Sequence, residues 1–400
     1  MSRVCTQQCT SYDLHDVRRA VSGALRSLPS ARDALREADS VLLKPNLLSS
    51  SAVPGDAVNT HPAVVRALAE IAVSDYQCRA SIGDSCGSLS PSSTADAIQN
   101  SRMDTVARAV GAELYNVDTQ SRREVDFDGR VLARADMPST LDEFDTVVSV
   151  PKLKTHHLTY LTLAVKNLLG LLPGAWKKRA HLMAPTGTEM AELLCDVYEY
   201  VRPDVCLVDG VVGMEGNGPN NGSPRRLNYI GASADGVALD SVSARIMDME
   251  PAEVPLLQAC RRRSLGETEM DRIEVAGDGL EPFRRRDFAK PPAYRNALVL
   301  RLLPRSVFHF VFEQMSTVYA SVDQEACRRC GECARNCPSG AIEWDSGANR
   351  YHVERDRCIS CYCCDEVCPY DAIRMVGTPL RRALERTVSA GRFLLGCTGS

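Results

Sequence analysis

Short apolar runs alternate with longer amphipathic stretches through the first 280 residues of the chain. Several of the short runs are β-branched and end at Gly, Asp, Pro or Asn, which is typical of buried strands. Strands are therefore predicted at 40–44, 80–84, 113–117, 146–150, 205–209, 226–230 and 272–276. Helices are predicted between them at 62–73, 159–171, 189–201 and 235–247. This alternation predicts an α/β fold, with a mainly parallel sheet flanked by helices, for residues 1–280.

The pattern changes after this domain. Residues 281–318 open with four basic residues and continue as an apolar stretch with interspersed Arg at 297–312, which predicts a basic helical linker. We expect the linker to dock the C-terminal module onto the main domain. A membrane-surface helix is less favoured, because the polar face of this stretch is thin. Residues 319–377 form the module, and 378–400 are predicted to be an amphipathic tail helix.

Two cysteine runs in this module carry the most specific motif of the chain. Each has the spacing Cys-x-x-Cys-x-x-Cys-x-x-x-Cys-Pro. In bacterial ferredoxins with this spacing, the first three thiolates of a run hold one iron–sulfur cube and the fourth Cys ligates the other. Two 4Fe–4S clusters are therefore predicted. The first-run cluster would be held by Cys327, Cys330, Cys333 and Cys368, and the second-run cluster by Cys358, Cys361, Cys364 and Cys337.

Zinc is the alternative interpretation of these cysteines, but zinc sites use two Cys pairs in place of a four-Cys run closed by Pro. The spacing thus favours a small α+β dicluster ferredoxin domain. Cys363 adjoins Cys364 and competes for the third position of the second run, yet only Cys364 keeps both intervals of the motif. Cys363 is expected to be a buried thiol or one that lies next to the ligands.

The composition excludes several classes of protein. With 47 Lys and Arg against 51 Asp and Glu, the net charge is −4, so the chain offers no bulk electrostatic attraction to nucleic acid. The sequence has no apolar stretch of about eighteen residues, and its N-terminus lacks the charged-then-apolar pattern of a signal peptide. No transmembrane segment is predicted. A cytoplasmic protein is expected, whose remaining cysteines stay reduced.

Lysine is rare and clustered in this chain. Only seven of the 47 basic residues are Lys, and five of these lie between residues 152 and 178. Three of the seven His share that segment, namely His156, His157 and His181. The pKa of Lys moves readily on burial whereas Arg keeps its proton, so the clustering favours a site that uses ammonium groups. The alternative is a chance concentration on a solvated face.

Polar residues follow several predicted strands, at the edge where open α/β sheets bind ligands. Candidate binding residues there are Lys44, Asn46, Asp84, Ser85 and Asp209, with Glu215 and Asn217 on a Gly-rich segment. That segment, 210–218, is predicted to be a mobile or tightly turned loop, and a second loop is predicted at 151–156. No Walker A or Rossmann glycine pattern is present, so no nucleotide site is predicted.

Four of these segments together resemble a known family. KPN at 44–46, PKLKTH at 151–156, KNLLGLLPG at 166–174 and DGVVGMEGNGP at 209–219 are similar to domain-of-unknown-function family 362. The resemblance spans most of residues 35–250. Members of that family often carry a C-terminal pair of 4Fe–4S motifs, as this chain does. The resemblance implies an architecture and a site, but no general reaction.

A reductase without flavin is the leading functional hypothesis. Its clusters would carry electrons from an external donor, such as a ferredoxin or flavodoxin, to a small-molecule or carrier-bound substrate. Candidate acids or anion-binding groups are His156, His181, Lys152, Lys154 and Lys166. Lys44 and Asn46 would hold a carboxylate or carbonyl and stabilise negative charge as electrons arrive.

Two other functions are alternatives. One is an electron carrier or redox sensor whose large domain docks a partner or senses a ligand, without turnover of its own. The other is a mononuclear metal site with Lewis-acid chemistry, which no His-x-x-x-His or His-Glu-x-x-His spacing supports. Asp209 and Asp240 also have a simpler interpretation, as caps of helices or turns.

Overall fold

The computed structural model describes residues 1–87, 91–294 and 318–377. Contacts along the chain divide it into two compact units, Met1–Pro291 and Pro292–Ser400. Each unit has a hydrophobic core of its own.

A ten-stranded sheet forms the centre of the first unit. The strands of this unit are β1 (Ser2–Gln8), β2 (Ser40–Pro45), β3 (Arg79–Asp84), β4 (Glu113–Asn116), β5 (Arg122–Asp126), β6 (Arg134–Pro138), β7 (Thr146–Val150), β8 (Lys152–His156), β9 (Tyr160–Thr162), β10 (Val205–Glu215), β11 (Ser223–Ser233) and β12 (Ile273–Gly277). The order along the sheet is β12-β1-β11-β10-β7-β2-β3-β4, β8 pairs with β10 and β9, and β5 pairs with β6 apart from this sheet.

Most strand pairs of this sheet are parallel. Antiparallel pairs join β11 to β1 and β10, and β8 to β9. The central strands β2 and β7 are buried along their whole length, as expected for parallel strands with both faces covered. All seven predicted strands overlap strands of the structure, and the predicted α/β fold with a mainly parallel sheet is confirmed.

Helices connect most of these strands. They are α1 (Leu14–Arg26), α2 (Pro29–Glu37), α3 (Pro62–Glu70), α4 (Pro91–Asn100), α5 (Met103–Val110), α6 (Ala164–Asn167), α7 (Ala175–Met183), α8 (Gly187–Val201), α9 (Gly236–Ile246) and α10 (Pro255–Arg262). Their starts follow from local chemistry. The Asp13 side chain accepts the N–H groups of His15 and Asp16 before α1, and Thr186 forms a reciprocal capping box with Glu189 at the start of α8.

The prediction of one helix at 159–171 is wrong. This segment contains β9, α6 and a 3₁₀ turn at Leu168–Leu171. The predicted loop at 151–156 is also wrong, since β8 occupies it. β8 forms because β10 runs beside it, with Lys152 in register with Asp209. Such a tertiary partner overrides local preference and leaves no periodic signal in the sequence.

The predicted Gly-rich loop at 210–218 is wrong for most of its length, because β10 extends through it. Its glycines permit close packing inside the sheet. A Cβ at Gly210 would lie 2.5 Å from Cδ1 of Tyr229, and one at Gly213 would lie 2.9 Å from the carbonyl oxygen of Leu153. Glycine within a strand commonly marks such a close approach.

The second unit contains two antiparallel strand pairs and two short helices within residues 318–377. Its elements are β13 (Val318–Val322), α11 (Glu332–Arg335), β14 (Ile342–Asp345), β15 (Arg350–Val353), α12 (Cys363–Glu366) and β16 (Ile373–Gly377). β13 pairs with β16, and β14 pairs with β15. The halves repeat one local geometry, since α11 follows Gly331 with a φ of 79° and α12 follows Tyr362 with a φ of 64°.

Two predicted helical segments lie outside the described residues, namely the apolar stretch at 297–312 and the tail at 378–400. Within the described part of the chain, none of the helices has the length and apolar character needed to cross a bilayer.

Candidate redox centre and strand-end site

The second unit brings cysteines of the two runs together. Burial raises the pKa of the Cys333 thiol to about 12. Three nearby thiols contribute to this rise, those of Cys368, Cys330 and Cys327. Since Cys368 belongs to the other run, the fourth cysteine of the second run lies beside the first three cysteines of the first run.

The second set of thiols repeats this arrangement. Burial raises the pKa of the Cys364 thiol well above its ordinary value, and the thiols of Cys361, Cys337 and Cys358 add to the rise. Cys337 is the fourth cysteine of the first run. The fold therefore assembles two groups of four thiols, each with three members from one run and one from the other.

The surroundings of these thiols suit ligands of an iron–sulfur cluster. The backbone N–H of Ala341 lies 3.2 Å from Cys337 Sγ, and that of Ala372 lies 3.3 Å from Cys368 Sγ. Donors of this kind stabilise thiolate, the form that binds metal, and tune cluster potentials. One concavity is lined by Cys327, Cys330, Cys333 and Cys368. Four soft sulfur donors with backbone N–H partners fit a 4Fe–4S cluster.

A buried ion pair lies where β2 and β3 end in the first unit. Lys44 Nζ is 2.6 Å from Asp84 Oδ1, and the two side chains are 0% and 2% exposed. The ammonium group also donates to the carbonyl oxygen of Pro45 at 3.0 Å and to Asn167 Oδ1 at 3.2 Å. Neighbouring parallel strands place the two charges side by side, which explains why residues 40 positions apart in sequence meet here.

Burial lowers the pKa of Lys44 to about 8, although the charge of Asp84 opposes the change. The ammonium group of Lys177 lowers that pKa further by repulsion. The backbone of Gly170 covers the pair, since a Cβ there would lie 2.0 Å from Asp84 Oδ1 and 2.8 Å from Lys44 Nζ. The KNLLGLLPG segment thus supplies both a hydrogen-bond partner, Asn167, and a close backbone cover for the pair.

A hydroxyl and a second ammonium group lie on the loop after β3. Ser85 Oγ donates to Asp118 at 2.9 Å and accepts from Lys177 Nζ at 2.5 Å. Lys177 also donates to the carbonyl oxygens of Ser85 and Cys86. The Asp118 carboxylate accepts a further hydrogen bond from Thr94 Oγ1 at 2.6 Å. Asp118 was not predicted from the sequence, because it lies one turn beyond β4 in a segment without a motif.

A second buried ion pair joins β8 to β10. Lys152 Nζ is 2.9 Å from Asp209 Oδ2. The Tyr12 hydroxyl donates to Asp209 Oδ1 at 2.9 Å and accepts from Lys152 Nζ at 2.8 Å. The backbone N–H of His61 donates to Asp209 Oδ2 at 2.9 Å. Burial lowers the pKa of Lys152 and raises the pKa of Tyr12 well above its ordinary value.

His61 covers one side of this network. Its ring stacks on Tyr12 with centroids 3.6 Å apart. Its Nδ1 accepts the N–H of Ala63 at 3.2 Å, so the ring proton resides on Nε2. Burial lowers the pKa of His61 to about 4. Neither aromatic residue was predicted from the sequence: Tyr12 has no motif, and the signal for His61 is its place before the Pro that opens α3.

The other polar residues of β8 are buried as well. Lys154 is 0% exposed, and its Nζ donates to the carbonyl oxygen of Val58 at 2.7 Å. His156 Nδ1 accepts the N–H groups of Leu158 at 3.0 Å and Thr159 at 3.3 Å. The His156 ring proton therefore resides on Nε2, which makes that atom a hydrogen-bond donor.

The remaining candidates have more varied settings. His181 is buried in α7, while Lys166 in α6 is half-buried. Asn46 follows β2 and is half-buried, and its backbone N–H donates to Thr60 Oγ1 at 2.8 Å. These three residues thus belong to three separate segments of the first unit.

Glu215 and Asn217 lie at the far end of β10. Glu215 accepts the backbone N–H of Ala289 at 3.0 Å and lies 3.7 Å from Arg225, so it anchors a neighbouring segment. Asn217 is exposed. Among the predicted site residues, the structure thus brings together Lys44 with Asp84, and Lys152 with Asp209.

Comparison with known proteins bears on both units. Residues 41–245, just over half of the chain, match the family described as "Domain of unknown function (DUF362)". The chain belongs to the DUF362 family. Residues 320–375 match the family described as "4Fe-4S dicluster domain". The predicted resemblance is confirmed for this DUF362 protein, and its C-terminal module is an iron–sulfur module.

Individual relatives of this DUF362 protein differ in how much of it they cover. It is 31% identical over 266 residues to "Thylakoid-associated protein sll1697" of Synechocystis, a match that covers 64% of this chain and 78% of the relative. It is 45% identical over 58 residues to "Electron transport protein HydN" of Escherichia coli, which covers 14% of this chain and 32% of HydN. It is 38% identical over 60 residues to a probable iron–sulfur protein of the Frd operon of Proteus vulgaris, with 14% and 37% coverage. The iron–sulfur module and these shorter matches support a role in electron transfer.

Proposed function

We propose that this DUF362 protein is an iron–sulfur reductase. Two 4Fe–4S clusters would pass electrons, without a flavin, to an organic substrate at the strand ends of the α/β domain. The observation that carries the proposal is one chain with two four-thiol groups and a set of buried Lys side chains at strand ends. Bound clusters supply single electrons. Protons and charge stabilisation then have to come from protein side chains.

Lys44 is the proposed centre of charge stabilisation. Three oxygen acceptors hold its ammonium group in place. A charge fixed in this way stabilises negative charge that develops nearby without any reorganisation. Its pKa of about 8 also allows Lys44 to hold or release a proton near neutral pH. Asn46, Asp84, Ser85 and Asp209 are the proposed binding residues around it.

His156 and His181 are the proposed proton donors. With its proton on Nε2, the neutral His156 ring can donate from that atom. Lys152, Lys154 and Lys166 are proposed to attract anionic groups of the substrate, because they belong to the Lys cluster of the sequence and alternate residues of β8 share one face.

The test uses the full-length protein, purified and reconstituted without oxygen and reduced chemically. A panel of 2-oxo acids, enoates and aldehydes is added, and cluster reoxidation is followed by absorbance. We expect at least one class to reoxidise the wild type. His181→Ala and Lys154→Ala should abolish this reoxidation while cluster absorbance is retained. Lys178→Ala, in the same helix as His181, is the matched control and should behave like the wild type.

Two outcomes would count against the reductase. Unchanged reoxidation in His181→Ala and Lys154→Ala would remove both residues from the mechanism. If no compound reoxidises the wild type, the second candidate function, an electron carrier or redox sensor, is favoured. The match to a protein named electron transport protein HydN supports that candidate. A carrier would be reoxidised only by a protein partner, and added salt would weaken their association.

We further propose an external ferredoxin or flavodoxin as the electron donor, and a small-molecule or carrier-bound substrate. Residence in the cytoplasm stays a prediction. The name of the Synechocystis relative directs its test to membranes: fractionation of cells should recover this protein in the supernatant, and recovery with the membranes would contradict the prediction.

A further inference from the structure

One side chain beside the second-run cysteines differs from its counterpart in the other half of the module. Helices α11 and α12 begin at equivalent places, each directly after a residue in the left-handed region. The first residue of each helix precedes the third cysteine of its run. Glu332 holds this place in the first half, and Cys363 holds it in the second.

The backbone donors to sulfur do not distinguish the two halves. The N–H of Ala341 lies 3.2 Å from Cys337 Sγ, and the N–H of Ala372 lies 3.3 Å from Cys368 Sγ. In both cases the donor follows its cysteine by four residues. Any difference that hydrogen bonding makes between the clusters must therefore come from side chains.

Glu332 directs its oxygens away from sulfur. Its carboxylate accepts hydrogen bonds from Arg335 and, at 3.2 Å, from Asn336 Nδ2. An ionised carboxylate is an acceptor only, so Glu332 offers no proton to a thiolate of the first-run cluster.

Cys363 makes the opposite contribution. Its side chain is half-buried and is hydrogen-bonded to the side chain of Cys361. When Cys361 ligates iron it is a thiolate and carries no proton. The S–H group of Cys363 is then the donor, and the ligating sulfur of Cys361 is the acceptor.

We propose that the Cys363 S–H donates to the ligating sulfur of Cys361 and thereby raises the reduction potential of the second-run cluster. The inference rests on the two-cluster assignment in the proposed function. Reduction adds one negative charge to the cluster and its thiolates, and a donor to sulfur stabilises that charge. A thiol is a weak donor, so the effect is about tenfold or less in the reduction equilibrium, or about 59 mV or less for one electron.

The experiment is an EPR-monitored redox titration of the full-length protein, reconstituted without oxygen. Cys363→Ala should shift one of the two midpoint potentials to a more negative value and leave the other unchanged. Cys363→Ser retains a hydroxyl donor, so its shift should be smaller. The reciprocal variant, Glu332→Cys, places a thiol at the equivalent position and should raise the other potential.

Iron content separates this role from that of a ligand. All variants should retain the wild-type content, about eight irons per chain for two 4Fe–4S clusters. Loss of half the iron in Cys363→Ala would make Cys363 a ligand and overturn the inference. Equal potentials in the wild type, Cys363→Ala and Cys363→Ser would overturn it as well. Neither readout needs substrate turnover, whereas a wild type that holds no iron would defeat the proposed function itself.

Discussion

Gly170 is a residue on which a buried charge pair depends. Because a Cβ there would lie 2.0 Å from Asp84 Oδ1, Gly170→Ala should force the pair with Lys44 apart. Separating a buried ion pair costs about 3 kcal/mol or more, and we expect a loss of this size in the free energy of unfolding. Urea unfolding checks it. Gly55→Ala is the control, since no atom lies within 4 Å of the place that its Cβ would take and the change should stay within about 0.5 kcal/mol.

The ring of His61 predicts a pH dependence of stability. Its pKa is about 4 in the folded protein and 6.5 when unperturbed. Between these values the unfolded chain binds a proton that the folded protein does not, so the unfolding free energy should fall as the pH drops from 6.5 towards 4, by about 3 kcal/mol at most.

Urea unfolding at a series of pH values measures this slope. His61→Asn keeps an acceptor at the start of α3 but does not titrate in this range, so the same slope should flatten in the variant. An identical pH profile in the variant and the wild type would assign the dependence to other groups.

At the scale of elements, α6 depends on a side chain from α9. The Asp240 carboxylate accepts the N–H groups of Ala164 at 2.7 Å and Val165 at 3.1 Å. Asp240→Ala leaves both buried donors without this acceptor, which should cost about 2–4 kcal/mol in the unfolding free energy. Asp240→Asn keeps one oxygen acceptor and should lose less.

The control for this prediction is Asp104→Ala on α5. It removes an exposed pair with Arg108, which is worth about 0.5 kcal/mol. An Asp240→Ala variant no less stable than this control would show that α6 does not need its cap. The interpretation of Asp240 as a helix cap, made from the sequence, is confirmed by these contacts.

The same elements show how far sequence reasoning reaches. Buried parallel strands such as β2 and β7 are continuous apolar runs, so their positions were predictable. β8 and the extension of β10 were not, because each strand is stabilised by the other and by glycines that permit close approach. Local patterns carry no signal for such mutual dependence.

The charged side chains of the strand-end site divide in a similar way. Lys44 and Lys152 were predicted as site residues from their position after strands. Their partnership with Asp84 and Asp209 depends on strand order, which sequence periodicity does not give. Tyr12 joins the second pair from a segment with no motif at all, so only the fold could reveal it.

At the scale of the whole molecule, the two units should respond differently to iron removal. The core of the second unit consists of a few small or branched side chains and several cysteines. Such a small core rarely suffices without a metal or disulfide, and metal binding is then coupled to folding. Chelation of iron should unfold the residues at 318–377 while the first unit, with its own large core, keeps its structure.

Hydrogen exchange followed by mass spectrometry checks this expectation. Protection should disappear in peptides from 318–377 and persist in peptides from β2 and β7. Simultaneous loss in both regions would show that the first unit requires the iron–sulfur module for its stability.

The exchange of fourth ligands gives a further prediction for the module. Cys368 lies beside the first three cysteines of the first run, so Cys368→Ala should remove the first-run cluster although it lies in the second run. Iron content should fall by about half. Loss of the other EPR signal, that of the second-run cluster, would contradict the exchange.

The position of β1 has a consequence for synthesis of the protein. Ser2–Gln8 emerges first from the ribosome, yet its partners are β11 and β12, and Ile273 is translated about 270 residues later. At about 5–20 residues per second the nascent polypeptide waits on the order of 10–50 s for them. During that interval β1 has neither of its neighbours and is a template for pairing with other chains. Chaperone demand should therefore be highest just before β12 is translated.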